Sequence, residues 1–140
     1  MSAEFAFFDT NVLLYAYTGA DSAKQARAKQ LIWRHTRSAS ILISTQVIQE
    51  FCAVGARKFG MAPSDLSKFV EALAGLPLVI IGPGHVHTAL SLQETYRLSF
   101  WDALIIAAAT DGRAEILLTE DLNHGQRYGS VTVRNPFLIE

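Results

Sequence analysis

Short apolar runs recur along the chain, and longer segments with helical character separate them. Residues 5–8, 41–43 and 116–118 are such runs, each three or four residues long and entirely apolar. This pattern is typical of strands buried on both faces, because alternate side chains of a strand point to opposite sides of its sheet. Buried strands that alternate with helices indicate a mainly parallel sheet covered by helices. The sequence therefore predicts an α/β fold, a three-layer α/β/α sandwich with a short, mainly parallel central sheet.

Capping and breaking residues set the boundaries of the predicted elements. Capping side chains at 21–22 and 44–45 predict two helix starts, and Gly60 is well placed to end the second helix. A turn is predicted at 9–11. The predicted strands are 4–8, 41–43, 78–81, 116–118 and 131–133. The predicted helices are 12–17, 22–37, 45–59, 63–74, 85–96 and 100–109.

The chain has 140 residues, of which half are hydrophobic and 18% are charged. A chain of this length and composition is expected to form one domain around one core, spanning residues 1–140. It contains no apolar stretch of about 18 residues, so no membrane-spanning helix is expected. The single cysteine, Cys52, cannot form a disulfide within the chain, which suits the reducing cytoplasm.

Four acidic residues stand at or near the places where predicted elements begin or end. Asp9 and Asp121 follow predicted strands, Asp102 opens an apolar helix, and Glu50 lies at the edge of the apolar face of its helix. Carboxylates so close to a core are costly unless a positive charge neutralises them. The carboxyl ends of parallel strands meet at one edge of a sheet, where sites form. A divalent metal held by these carboxylates is therefore the prediction, and it indicates a metal-dependent phosphodiesterase.

Each acid also has a purely structural explanation, which the sequence leaves open. Glu50 can be an ordinary boundary residue paired with Arg57 on the same helix. Asp102 and Ser99 resemble a capping box, although such boxes prefer Glu or Gln at the position of Asp102. Asp121 can be an Asx-turn residue, and Asp9 opens an Asp-Thr-Asn sequence that is also good turn and cap chemistry. The metal hypothesis therefore depends on the joint spacing and order of the four acids rather than on any one of them.

Basic residues are concentrated in the segment before Glu50. The net charge of the chain is −1, yet residues 22–49 contain no acidic side chain. If the four candidate ligands bind metal, the remaining surface is mildly positive, which suits a polyanion such as RNA. Arg27, Arg34 and Arg57 are the candidate RNA-binding residues, and an ordinary solvated helix face is the alternative interpretation.

Taken together, the motifs resemble the PIN domain and, within that family, the VapC-type toxins of bacterial toxin–antitoxin pairs. The resemblance covers essentially the whole chain, and the motifs appear in family order. They are Phe-Asp-Thr-Asn-Val-Leu at 8–13, Glu50 in a mid-chain helix, Ser-Phe-Trp-Asp-Ala-Leu-Ile-Ile-Ala-Ala-Ala at 99–109, and Leu-Thr-Glu-Asp at 118–121.

The resemblance implies a Mg²⁺- or Mn²⁺-dependent endoribonuclease that hydrolyses RNA phosphodiester bonds. Asn11 and Thr119 match the family's polar supporting positions. Many relatives carry a further acid where this chain has Asn123, so a second metal position is expected to be weaker here. The residues that match the family's catalytic, metal-binding quartet are Asp9, Glu50, Asp102 and Asp121, with Asp9 and Asp102 expected to be the tightest ligands.

The resemblance also implies partners. VapC-type toxins usually form homodimers and are blocked by a VapB-like antitoxin whose tail enters the acidic cleft. Two alternatives within the family are a PIN nuclease of RNA processing that is not a toxin, and a non-catalytic PIN module that only binds partners. A phospho-acceptor domain fits less well, because Asn11 replaces the second Asp that the haloacid dehalogenase motif requires.

Overall fold

The computed structural model describes residues 4–138. Of the predicted domain, residues 1–3 and 139–140 lie outside the described residues. The described part of the chain contains six strands and six helices, with two helices after each of the first three strands. The strands are β1 (Ala6–Phe8), β2 (Ile41–Ser44), β3 (Leu78–Val79), β4 (Ile116–Leu118), β5 (Arg127–Tyr128) and β6 (Val131–Arg134). The helices are α1 (Thr10–Thr18), α2 (Ser22–Arg37), α3 (Thr45–Phe59), α4 (Pro63–Ala74), α5 (Pro83–Thr95) and α6 (Phe100–Asp111).

The strands form one sheet in the order β3-β2-β1-β4-β6-β5. All neighbouring strands are parallel except β5 and β6, which form an antiparallel pair. In the centre, Phe7 of β1 lies between Leu42 of β2 and Leu117 of β4. The chain builds outward from β1 through β2 to β3, then crosses back to place β4 on the other side of β1. The strand order therefore reverses between β1 and β4, which is where open α/β sheets form sites.

Helices cover both faces of the sheet. Every residue of β1, β2 and β4 is buried. Because alternate side chains of a strand point to opposite faces, this burial requires a cover on each side. Helix α1 packs on α2 and α3, α3 packs on α4, and α5 packs on α6. The predicted α/β fold with a mainly parallel sheet is confirmed.

Two elements near the site differ from the sequence prediction, namely the start of helix α1 and the strand β5. Helix α1 begins at Thr10 rather than at residue 12, because the Asp9 carboxylate accepts a hydrogen bond from the Thr10 amide and caps the helix. Strand β5 was not predicted. It is only two residues long and gains its hydrogen bonds from β6 across a turn at Gly129, which has a φ of 61°.

No helix in the described part of the chain combines the length and the apolar character needed to cross a membrane.

Candidate active site

Asp9 is the buried centre of the candidate site. It follows β1 directly and is 6% exposed. Its Oδ1 accepts a hydrogen bond from the Thr10 amide at 2.7 Å, and its Oδ2 accepts one from Thr119 Oγ1 at 2.7 Å. Burial raises the pKa of Asp9 from 3.8 to about 7. The hydrogen bonds from Thr119 and Thr10 oppose that rise, and the negative charges of Asp121 and Glu50 add to it.

Glu50 reaches the same region from α3. Ser44 caps this helix, since its Oγ accepts a hydrogen bond from the Val47 amide. The Glu50 carboxylate is half-buried and accepts a hydrogen bond from Thr10 Oγ1 at 3.3 Å. Burial raises its pKa, Thr10 opposes the rise, and the charges of Asp102 and Asp121 add to it. The predicted alternative, a pair with Arg57, does not occur among the described ion pairs.

Asp102 lies in the first turn of α6. Ser99 is the N-cap of that helix, and its Oγ accepts a hydrogen bond from the Asp102 amide at 3.1 Å. The capping interpretation is therefore correct for the backbone of Asp102, while its side chain faces the cavity described below. Burial raises the pKa of Asp102, and the charge of Asp121 raises it further. The backbone cap and a role for the carboxylate are compatible.

Asp121 and the two predicted supporting residues form one hydrogen-bonded unit beyond β4. Asn11 Nδ2 donates to Asp121 Oδ2 at 2.9 Å and approaches Thr119 Oγ1 at 3.5 Å. The Asp121 amide donates to Thr119 Oγ1 at 3.1 Å, while that hydroxyl donates to Asp9. Thr119 therefore connects the segment after β4 to the segment after β1.

The four acids surround one cavity of about 280 Å³. Their mutual charges raise the pKa values of Asp9, Glu50 and Asp102, so the structure concentrates negative charge at the switch point of the sheet. The expectation that Asp9 and Asp102 are the tightest metal ligands stays a prediction. The acids that line the cavity are Asp9, Glu50, Asp102, Asp121 and Glu120.

The donor chemistry fits a hard divalent cation such as Mg²⁺ or Mn²⁺, which prefers carboxylate, carbonyl and water oxygens. Two buried acceptor atoms support this fit. Asn11 Oδ1 and Gln46 Oε1 have no hydrogen-bond partner within residues 4–138, and both residues line the cavity. Acceptors of this kind are satisfied by a cation or its water shell. Yet no three acidic, His or Cys side chains of the described chain are close enough to hold a metal as placed.

Glu120 is held away from a ligand role by its neighbours. Its Oε1 accepts a hydrogen bond from Tyr15 Oη at 2.5 Å, and its Oε2 pairs with Lys24 Nζ at 2.7 Å. The two partners come from α1 and α2, so this cluster ties both helices to the segment after β4. Asn123 does not line the acidic cavity and bonds to Gln126 instead.

The structure does not bring the predicted RNA-binding arginines to the acids. Arg27 donates to the Pro136 carbonyl and lies with Arg34 beside Arg134, at a separate small cavity. Arg57 is exposed and does not line the acidic cavity. Within residues 4–138, the basic side chain that lines the acidic cavity is Lys58 of α3.

Sequence reasoning missed several residues at the cavity, namely Thr10, Gln46, Lys58 and Trp101, which is 61% exposed. For Gln46 and Lys58, the helical spacing from Glu50 could have indicated a position at the cavity. Gln46 and Lys58 lie four residues before and eight residues after Glu50, and residues at this spacing share one stripe of a helix. The exposed ring of Trp101 had no such signal.

The sequence model of the PIN domain family matches residues 6–129. Three solved structures share the fold. A toxin–antitoxin complex from Klebsiella pneumoniae is 26% identical, with a TM-score of 0.71 over 96% of this chain and 99% of that chain. VapC20 from Mycobacterium tuberculosis, a toxin that cleaves the sarcin–ricin loop, is 17% identical, with a TM-score of 0.66 over 83% and 91%.

The third structure is VapBC2 from Rickettsia felis, bound to a DNA fragment from its promoter. It is 20% identical, with a TM-score of 0.63 over 93% of this chain and 97% of that chain. At such identities, the Mycobacterium and Rickettsia proteins are evidence for the fold alone. No curated protein sequence matches the chain.

Proposed function

The chain belongs to the PIN domain family, and from that premise we propose that it is a Mg²⁺- or Mn²⁺-dependent endoribonuclease that hydrolyses RNA phosphodiester bonds. The observation that carries the proposal is the position of Asp9, Glu50, Asp102 and Asp121 around one cavity at the sheet's switch point. Oxygen donors of this kind suit the metal-assisted hydrolysis of a phosphodiester.

The four carboxylates would hold the metal. A bound divalent ion supplies Lewis-acid chemistry, because it lowers the pKa of water and stabilises developing charge on phosphate oxygens. The chain's own residues prepare the site. Thr119 and the Thr10 amide fix both oxygens of Asp9, and Asn11 fixes Asp121. With a pKa of about 7, Asp9 carries a proton in part of the molecules at neutral pH and would release it when a cation arrives.

We further propose that the protein is a toxin whose partner is a VapB-like antitoxin. The support is its 26% identity, over nearly the full length of both chains, to a chain of a toxin–antitoxin complex. An acidic cavity attracts a cationic side chain, so an antitoxin tail with Arg or Lys would compete with the metal there. We also propose that residues 1–140 form a single PIN domain, that the protein forms a homodimer, and that it acts in the cytoplasm.

The first experiment compares wild type with Asp9→Asn for cleavage of a structured RNA in Mg²⁺, Mn²⁺ or chelator. We expect the substitution to reduce the cleavage rate more than about 100-fold, because it removes a metal-binding charge. Glu71→Gln, an exposed acid on α4, is the matched control and should cleave normally. Undiminished cleavage by folded Asp9→Asn protein, or cleavage in chelator, would overturn the assignment.

Two further outcomes separate the alternatives within the family. Wild type that binds partners but never cleaves RNA in either metal would be a non-catalytic PIN module. Wild type that cleaves RNA without arresting growth on expression would be an RNA-processing nuclease rather than a toxin. Sequencing the 5′ ends of RNA cut after expression identifies the target in either nuclease case.

A further inference from the structure

A second cavity, of about 530 Å³, adjoins the acidic one. Asp102 and Asp121 line both cavities, so the two meet at these carboxylates. A phosphodiester held at the acids has a nucleotide on each side of its phosphate. Because it shares Asp102 and Asp121 with the acidic cavity, the second cavity is adjacent to such a phosphate, and its volume is within the range of small-molecule sites.

Two carboxamide side chains in this second cavity form a fixed pair. Asn123 Nδ2 donates to Gln126 Oε1 at 3.1 Å. Backbone hydrogen bonds hold the loop that carries them, from the Gln126 amide to the Asn123 carbonyl and from the Val133 amide to the Gln126 carbonyl. Asn123 Oδ1, an acceptor, and Gln126 Nε2, a donor, make no hydrogen bond to another group of residues 4–138.

An adjacent donor and acceptor match the edge of a nucleobase. Asn and Gln read bases through paired hydrogen bonds, and unstacked RNA bases expose the edges that such pairs contact. The same cavity is lined by the Tyr96 ring, which packs edge-to-face on Tyr128 with ring centroids 4.8 Å apart. Arg97 also lines it and supplies a cation for a neighbouring phosphate. An aromatic ring, two carboxamides and a guanidinium therefore line one cavity.

We propose that this second cavity is a base-recognition subsite, in which the Asn123–Gln126 pair hydrogen-bonds the base next to the cleaved phosphate. The inference rests on the proposed function, since it takes the substrate to be RNA. It also assigns Asn123 a role of its own. Asn123 faces the second cavity rather than the acidic one.

A binding experiment tests the subsite without any cleavage. Metal-free protein labelled with ¹⁵N is titrated with adenosine, guanosine, cytidine and uridine, which are neutral and are not repelled by the carboxylates. We expect at least one nucleoside to shift the side-chain amide signals of Asn123 and Gln126. Asn123→Ala should weaken that binding by about tenfold, the usual scale of one amide–base contact. Unmoved amide signals with all four nucleosides would overturn the proposal.

A cleavage experiment then tests specificity on an RNA pool of random sequence. Asn123→Ala and Gln126→Ala should reduce the base preference beside the cut by about tenfold, through a slower cleavage at the preferred base. Gln49→Ala, an exposed amide on α3, is the matched control. An unchanged preference in both active variants would contradict the subsite. An inactive wild type would instead contradict the nuclease proposal, and the nucleoside titration would still decide the subsite.

Discussion

At the scale of single residues, Asp9 combines opposing influences on one carboxyl group. It caps α1, where the helix N-terminus favours a negative charge, and it accepts two hydrogen bonds of 2.7 Å. Burial and two neighbouring acids nevertheless dominate, because the pKa rises to about 7. In the absence of a cation, the folded protein therefore keeps this group partly protonated near neutral pH.

The raised pKa of Asp9 predicts that metal-free protein loses stability as the pH rises. Between the ordinary pKa of 3.8 and about 7, the folded state binds a proton that the unfolded state has released. We expect Asp9 to lower the free energy of unfolding by about 3 kcal/mol between pH 5 and pH 8. Urea denaturation in chelator at both pH values measures this change.

The comparison is with Asp9→Asn, which keeps a capping side chain but does not titrate. This variant should show a smaller loss of stability between the two pH values. Glu50 and Asp102 also have raised pKa values, so the stability of Asp9→Asn will still fall somewhat as the pH rises. Identical slopes for wild type and Asp9→Asn would show that Asp9 titrates normally.

Thr119 is predicted to act through Asp9 rather than directly on a substrate. It is fully buried and its hydroxyl donates to Asp9 Oδ2. Thr119→Val removes the donor, which should raise the pKa of Asp9 further and weaken Mn²⁺ binding by about 10- to 100-fold. Calorimetric Mn²⁺ titration measures the change. Thr119→Ser keeps the hydroxyl and should bind near normally, so equal losses in both variants would point to packing instead.

At the scale of elements, the residues that begin the helices also position the acids. Asp9 is itself the cap of α1, Ser99 caps the helix that carries Asp102, and Ser44 caps the helix that carries Glu50. Each helix follows a strand or loop at the same end of the sheet. Local capping chemistry therefore sets where these helices begin. The packing of the helices on the sheet sets how far each carboxylate extends into the cavity.

The end of α6 is predicted to be sensitive to a single methyl group. A Cβ at Gly112 would lie 2.3 Å from Leu42 Cδ2 of β2 and 3.1 Å from Val79 Cγ2 of β3. We expect Gly112→Ala to destabilise the protein by about 1–3 kcal/mol, because the core must shift to make room. Chemical denaturation measures the difference.

Gly75→Ala is the matched control for Gly112→Ala. Both glycines follow a helix with similar backbone angles, a φ of −80° at Gly75 and −78° at Gly112. A Cβ at Gly75 would come no closer than 3.4 Å to the Ala72 carbonyl oxygen. Gly75→Ala should therefore cost far less than Gly112→Ala, and equal costs would exclude the contact with β2 and β3 as the cause.

At the scale of the whole molecule, the order of the strands decides where charge accumulates. β1 and β4 are neighbours although more than 100 residues separate them along the chain. Their carboxyl ends bring Asp9 and Asp121 together, and the negative charge of Asp121 contributes to the raised pKa of Asp9. An RNA backbone approaching this negative cavity needs cations at its edges.

Lys58 is predicted to be such an edge cation, and Arg57 is its matched control. The two are adjacent and carry the same charge, but only Lys58 lines the acidic cavity. Lys58→Ala should raise the KM for RNA several-fold and reduce the slope of log binding constant against log salt by about 1. Arg57→Ala should change both less. Equal effects would mean that net charge matters rather than position.

Most of the fold was accessible from the sequence because its elements have strong local signals. The buried strands are short apolar runs in the sequence, and the capping residues Ser44 and Ser99 indicate where two helices begin. Strand β5 had no such signal, since its two residues pair only with β6. The other residues that line the acidic cavity were harder to predict from the sequence. Lys58 and Trp101 lie near the acids because of how the helices pack together.

The sequence by itself determined the α/β class, the order of the elements other than β5, and which four acids are the candidate ligands, because hydrophobic periodicity and capping act over a few residues. Only the tertiary structure decided which cavity each side chain faces. It placed Arg27 and Arg34 away from the acids, paired Glu120 with Lys24, and turned Asn123 toward a second cavity. These outcomes depend on contacts between residues far apart in the chain, whose register is set by the sheet order and by how the helices pack on it.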